Sequence, residues 1–96
     1  MTGRILITAN SVPRLAPHRR LKHDIQRATW TIQAPERCFM LDETSHAIVS
    51  RCDGKASLAA IIESLCAAFP EAPRDTIAAD TTQLLQGLAD KGVIAA

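Results

Sequence analysis

The amino-acid sequence predicts an α+β fold, in which a small three-stranded antiparallel sheet precedes a bundle of three helices. Apolar and polar residues alternate along residues 28–33, as in a half-buried strand. Along residues 58–88 the apolar residues recur at three- and four-residue spacing, as in amphipathic helices. The change from one period to the other falls in residues 35–42, so the front of the chain is extended and the back is helical.

Length and composition predict an ordinary small globular protein. Its 96 residues can bury one modest core, 47% of them are apolar, and the net charge is +1. This length leaves no room for a separate catalytic domain. The sequence has no apolar run long enough for a signal peptide or a membrane span, so we expect a cytoplasmic protein with no membrane partner.

Residues 1–18 predict an extended N-terminal arm in front of a single domain at residues 19–96. Pro13 and Pro17 favour extended geometry in the residues that precede them. The apolar run Ile5–Ile7 has no partner within the arm. The arm can therefore lie along its own domain or reach a second copy, and a homodimer through the arm stays open.

The first two strands are predicted around residues 21–23 and along residues 28–33. They pair across a turn at residues 24–27, which lacks the Asn-Gly or Asp-Gly signature of a two-residue hairpin. Trp30 is the only tryptophan of the chain. Because of its size, we expect it to anchor the sheet on the helices rather than to stack on a ligand.

The third strand is predicted after Pro35, which ends the second strand because proline cannot donate to a ladder. It comprises Arg37, Cys38, Phe39, Met40 and Leu41. Apolar side chains occur on both of its faces. This is unusual for a sheet edge, because such an edge invites another strand.

Capping residues delimit the first two helices. Asp42 or Thr44 can cap the first, which we expect to continue to Asp53-Gly54. Ser57 caps the second, and Pro70 stops it.

The third helix is predicted to begin at Pro73, which suits a first helical turn, and to end at Lys91-Gly92. Its apolar stripe consists of Ile77, Thr81, Leu84, Leu85 and Leu88. The residues after it, Val93 and Ile94, are expected to fold back on the core.

The residues that could carry chemistry are scattered. They are three cysteines, Cys38, Cys52 and Cys66, and three histidines, His18, His23 and His46. No C-x-x-C pair or zinc-finger spacing joins them, and no motif links a nucleophile to a base. We therefore expect no catalytic residues, metal or cofactor, and we expect Cys52 and Cys66 to be buried thiols.

Several short motifs together resemble the PqqD family, pyrroloquinoline quinone biosynthesis protein D. They extend from about residue 13 to residue 94. They are Pro13-Arg14-Leu15, Asp24, Trp30, Pro35-Glu36-Arg37, Leu41, Thr44, Cys52-Asp53-Gly54, Ile61, Leu65 and the tail Leu88-Ala89-Asp90-Lys91-Gly92.

The resemblance implies a winged helix-turn-helix-like domain that works as a peptide chaperone and is not an enzyme. Such a domain captures the precursor peptide PqqA and presents it to the radical SAM enzyme PqqE, and it recurs as the recognition element of other ribosomally made peptide pathways. The peptide would add as a strand to the third strand, in a groove walled by the third helix. That wall would comprise Asp80, Thr81, Leu84, Leu85 and Leu88.

DNA binding by a winged helix-turn-helix is the alternative function. Residues 1–37 hold seven Lys and Arg against two acids, which could contact phosphates. A recognition helix should be basic, however, and the third helix carries Asp75, Asp80 and Asp90. The charge of this helix favours a protein with no nucleic-acid partner.

Overall fold

The computed structural model describes residues 6–34 and 38–96. Its elements in chain order are β1 Arg14–Leu15, β2 Arg20–Asp24, β3 Thr29–Gln33, β4 Cys38–Leu41, α1 Glu43–Val49, α2 Leu58–Ala68, α3 Arg74–Asp90 and β5 Ile94–Ala95. The predicted α+β order, three antiparallel strands followed by three helices, is confirmed.

The three-stranded sheet has the order β2-β3-β4, with both pairings antiparallel. Ile32 is opposite Leu21 on one side and Phe39 on the other, and Trp30 is opposite Leu41. These residues share the face of the sheet that packs on the core. This face of the sheet is therefore packed on the core, while on the other face Thr31 is buried and Lys22, Cys38 and Met40 are exposed.

The turn between β2 and β3 is closed by its own polar groups. The Asp24 carboxylate accepts a hydrogen bond from the Arg27 backbone N–H at 3.2 Å. Ala28 takes a left-handed conformation with φ of 52°, which returns the chain into β3. A four-residue turn thus replaces the two-residue turn whose signature is missing from the sequence.

Helix α1 begins where the sequence predicts and ends earlier. Asp42 caps it, since its carboxylate accepts a hydrogen bond from the Ser45 N–H at 2.7 Å. The helix ends at Val49, so the prediction that it continues to Asp53-Gly54 is wrong. The chain leaves the helix through tighter turns, and Asp53 then forms a β-bridge with Arg14.

The other two helices have the expected limits. Ser57 caps α2, accepting a hydrogen bond from the Ala60 N–H at 3.2 Å. Pro73 immediately precedes α3 rather than occupying its first turn. Gly92 follows α3 with φ of 76°, a conformation that favours glycine.

Residues near the two ends of the chain form a second, two-stranded sheet that the sequence did not predict. Arg14 pairs with Ala95, and Leu15 pairs with Ile94. The described part of the arm also contacts the helices, because the Leu58 N–H donates to the Ser11 carbonyl at 2.7 Å. Ile7 is buried in the same core.

A single core joins the sheet to the helices. Its fully buried side chains include Ile32, Ile61, Leu85, Val93 and Ile94, so the prediction that the chain folds back after α3 is confirmed. Trp30 stacks on His46 of α1, with ring centroids 4.4 Å apart and an angle of 10° between the rings. Trp30 therefore connects the sheet to a helix, as predicted.

Within the described ranges, no helix has both the length and the apolar character to span a membrane.

Candidate functional site

Strand β4 is an outer strand of the sheet, and it pairs with β3 alone among the described residues. Its side chains alternate between the two faces. Phe39 and Leu41 point to the core, whereas Cys38 and Met40 are exposed, Met40 by 64%. The predicted strand thus has one apolar face in the core and one uncharged face in solvent. Arg37, which the sequence places in the same strand, lies outside the described residues.

The backbone groups of β4 also alternate in direction. The Thr29 hydroxyl donates a hydrogen bond to the Leu41 carbonyl at 3.1 Å, which shows that this carbonyl is turned towards β3. In an antiparallel pair, successive residues direct their N–H and C=O groups to opposite sides of the strand. Met40 and Cys38 therefore direct their backbone groups away from β3, to the open side of the sheet.

The end of helix α3 lies beside this strand. The ammonium group of Lys91, the residue that follows α3, is 5.8 Å from the centroid of the Phe39 ring. At the outer face, the guanidinium of Arg27 donates to the Met40 sulfur at 3.4 Å. The side chain of Lys91, just after α3, thus covers β4 on the core side, and Arg27 of the β2–β3 turn contacts it on the outer side.

A cleft of about 180 Å³ lies between α1, the end of α2 and the first half of α3. Its apolar wall includes Ile48, Leu65, Phe69 and Ile77. Its polar residues include Thr44, Thr76, Asp80 and Thr81. Thr44, which lines the cleft, follows the last residue of β4 by three positions, and no residue of β4 is among the lining residues.

The residues predicted for the wall of α3 separate into two groups. Asp80 and Thr81 line the cleft. Leu84 is half-buried against the core, and Leu85 and Leu88 belong to the core, with exposures of 0% and 6%. The structure therefore brings two of the five predicted wall residues to a surface cleft and packs Leu85 and Leu88 into the core, and the contact of any of the five with a peptide stays a prediction.

Sequence reasoning missed the α1 and α2 residues of the cleft. Ile48 and Phe69 line the cleft but are not among the residues predicted for the site. Phe69 is 36% exposed, which is unusual for a phenylalanine that ends a helix. Its position just before Pro70 was the available signal.

The three cysteines differ in environment. Cys52 is buried, and its burial, together with the negative charge of Asp53, raises the pKa of the thiol to about 12. Cys66 packs against the core but is only partly buried, so the prediction of a buried thiol is wrong there. Cys38 is exposed on β4.

In the part of the chain that the structure describes, no three His, Cys, Asp or Glu residues are grouped as a metal site would require.

The exposed surface of α3 is acidic. Asp75, Asp80 and Asp90 are exposed, and the one basic side chain within the helix, Arg74, forms an ion pair with Glu63 of α2. The hydrogen bond from Arg74, reinforced by its charge, lowers the pKa of Glu63. An acidic helix is a poor match for DNA phosphates.

The fold and strand β4 define a small winged helix-turn-helix-like domain in which, among the described residues, this outer strand pairs on one side only. The family model described as Coenzyme PQQ synthesis protein D (PqqD) matches residues 29–94 of this chain. The chain belongs to the PqqD family.

Relatives and solved structures agree with this assignment. A PqqA binding protein of Rhodopseudomonas palustris (strain TIE-1) is 43% identical over 91 residues, which cover 95% of this chain and 88% of that protein. The PqqA binding protein of Gluconobacter oxydans (strain 621H) is 37% identical over 89 residues, or 93% of this chain and 92% of that protein.

Two solved structures share the fold. The first is a solution NMR structure of the PqqD part of Methylobacterium extorquens PqqCD, described as a functional and stand-alone recognition element for ribosomally synthesized, modified peptides. It superposes with a TM-score of 0.79 at 33% identity and covers 94% of this chain and 95% of that one. The crystal structure of PqqD from Xanthomonas campestris has a TM-score of 0.54 at 38% identity, covering 88% and 93%.

Proposed function

We propose that this chain is a peptide chaperone that binds the precursor peptide PqqA as an added strand on β4 and presents it to the radical SAM enzyme PqqE. The outward direction of the Cys38 and Met40 backbone groups carries this proposal. The family membership and the PqqA-binding relatives support the choice of peptide.

Strand addition suits β4 because an incoming chain would satisfy backbone groups that have no strand partner on that side among the described residues. Each such hydrogen bond contributes about 0.5–1.5 kcal/mol net. Affinity would come from these bonds. Selectivity would come from the side chains next to the edge.

The sheet has a second outer strand, β2, and its chemistry differs from that of β4. The exposed side chains of β2 include Arg20 and Lys22, which are charged. Charged side chains on an edge strand discourage the addition of another strand. Those of β4, Cys38 and Met40, carry no charge. This contrast favours β4 as the edge that accepts the peptide.

The proposed role is binding without catalysis, in the cytoplasm, with PqqE as the second protein partner. A homodimer through the arm, residues 1–18, remains a prediction from the sequence. The described arm residues contact their own chain, so a dimer of this kind would exchange the arms between two copies.

Calorimetric titration of the folded protein with synthetic PqqA tests the proposal directly. We expect saturable heat, with half-saturation at or below roughly tens of micromolar. A scrambled peptide of the same composition is the control and should give no saturable heat. Absence of saturable heat with PqqA, in protein whose helical spectrum shows that it is folded, would contradict the proposal.

A further inference from the structure

Arg27, in the turn between β2 and β3, extends its side chain over the outer face of the sheet to β4. Its guanidinium donates a hydrogen bond to the Met40 sulfur at 3.4 Å, although β3 separates the two residues in the sequence. The side chain of Arg27 is 67% exposed, and Met40 is 64% exposed. A cation from the turn is therefore held in solvent beside the strand that the peptide is proposed to join.

The partners of the Arg27 guanidinium within the chain are weak ones. A guanidinium has five N–H donors, and the thioether sulfur of Met40 is a poor acceptor. The Asp24 carboxylate is 3.8 Å from Nε of Arg27, and an exposed ion pair of this kind contributes little to stability. A carboxylate from a ligand would replace the sulfur with a stronger, charge-assisted partner.

The other charged residues of the outer face also favour an anionic ligand. Arg20 and Lys22 are exposed on β2, and Asp24 is the one acid among the described residues of this face. Neighbouring strands are about 4.8 Å apart, so the backbone of β2 lies about 10 Å from that of β4. Of the three cations, Arg27 is the one in contact with β4.

A strand added to β4 would bring one of its own side chains to this cation. Met40 directs its backbone groups to the open side, so one peptide residue would lie directly opposite it. Opposite residues share a face of the sheet, with Cβ atoms about 4.5–5.5 Å apart, and the next residues on that face are about 7–8 Å away. An acidic side chain at one of these positions can reach the guanidinium that lies against Met40.

We propose that Arg27 recognises a carboxylate of the bound peptide, carried by an aspartate or glutamate on the outer face of the added strand, opposite Met40 or two residues from it. The inference rests on the proposed function, because the peptide is the occupant. Arg27 would fix the register of the peptide, because a shift by one residue turns the acidic side chain to the other face. Arg27 is then a specificity-determining residue, on the face of the sheet that points away from the core.

The variant Arg27→Gln tests this role because glutamine removes the charge and keeps a polar side chain. We expect its affinity for synthetic PqqA, measured by calorimetry at low salt, to fall about threefold to tenfold. The difference from the original chain should shrink as the salt concentration rises, because ions screen an exposed pair. The urea midpoint of the free protein should stay unchanged, since the pair with Asp24 is exposed. Unchanged affinity in Arg27→Gln would overturn the assignment.

Lys22→Gln is the matched control, because it removes one positive charge from the same face on the far strand β2. Its affinity for PqqA should stay within about twofold of that of the original chain. An equal loss of affinity in Lys22→Gln and Arg27→Gln would show that the charge of the whole face, rather than Arg27 itself, attracts the peptide. That result would also overturn the assignment.

Substitution of each aspartate and glutamate of PqqA by its amide, one at a time, identifies the carboxylate that Arg27 binds. At one position the substitution should weaken binding to the original chain but add little further loss in Arg27→Gln, as expected for two groups that form one bond. PqqA with an amidated C-terminus should bind as the unmodified peptide does.

Two results would refute the assignment while leaving PqqA binding intact. One is an additive loss at every acidic position of the peptide, and the other is a loss confined to the amidated C-terminus. If the original chain itself fails to bind PqqA, the proposed function fails, and this inference fails with it.

Discussion

Asp42 is the residue at which the open strand passes into the helices. Its carboxylate accepts a hydrogen bond from the Ser45 N–H at 2.7 Å, and this bond lowers the pKa of Asp42 from its ordinary value of 3.8. Helix α1 has only 7 residues, so its intrinsic stability is small and a cap is a large part of it. The ionised carboxylate also complements the positive end of the helix.

Removal of this cap should destabilise the protein in a pH-dependent way. We expect Asp42→Ala to lower the free energy of unfolding by about 1 kcal/mol at neutral pH. Because the folded pKa is below the unfolded one, the contribution of the charge is present above the unfolded pKa and disappears as the pH falls through the folded pKa. Urea denaturation of the original chain and of Asp42→Ala, at neutral and at strongly acidic pH, measures the loss of stability at each pH.

Ser57→Ala is the matched control for Asp42→Ala, because Ser57 caps α2 with an uncharged hydroxyl. Its destabilisation, also about 1 kcal/mol, should not change with pH. A loss in Asp42→Ala that is as large in acid as at neutral pH would show that the charge of Asp42 does not contribute to the cap.

At the scale of the element, β4 combines two functions in four residues. Phe39 and Leu41 hold it on the core and direct their backbone groups to β3, whereas Cys38 and Met40 are turned to solvent and to the open side. The strand can therefore accept a partner without giving up its own pairing. Its anchoring and its proposed binding capacity belong to alternate residues.

Met40→Pro tests this alternation. Proline removes an N–H that points to the open side, so the ladder with β3 should persist while strand addition loses a bond. We expect the affinity for PqqA to fall at least about tenfold and the helical circular dichroism signal to stay unchanged. Met40→Ala, which keeps the N–H, should bind more tightly than Met40→Pro. Equal affinities of the two variants would show that this N–H does not take part, whereas loss of helical signal in Met40→Pro would show that the stretch is internal to the fold.

Elements with a repeating pattern could be predicted from the sequence, and short or long-range ones could not. The alternation in β3 and the spaced apolar residues of α2 and α3 set their positions. β1 and β5 have two residues each, which is too few for any period. They pair with each other although they lie near opposite ends of the sequence. The bridge between Arg14 and Asp53, a few residues after α1, joins positions far apart in the sequence and is invisible locally.

The candidate site was predictable to a similar extent. The order of the strands makes β4 an edge, and an edge with uncharged outer residues could be recognised in the sequence. The apolar stripe of α3, however, contains Leu84, Leu85 and Leu88 together with Thr81, and periodicity alone does not tell which of them face the core. The cleft additionally requires the packing of α1 against α3, which no local pattern encodes.

At the scale of the whole molecule, the strands near the two ends of the chain pair with each other, and β4 has no second strand partner in the part of the chain that the structure describes. β1 pairs with β5, and the Ala16 N–H donates to the Val93 carbonyl at 2.9 Å beside them. These contacts tie the described part of the arm to the end of α3. The described part of the arm therefore forms no strand on β4.

The most direct test of peptide addition to β4 is amide hydrogen exchange, followed by NMR with and without saturating PqqA. The account predicts that exchange at Cys38 and Met40 slows by at least about tenfold, because their N–H groups gain partners. The amides of Phe39 and Leu41, which already face β3, should change far less. Slower exchange along β2 with no change at Cys38 and Met40 would contradict the account.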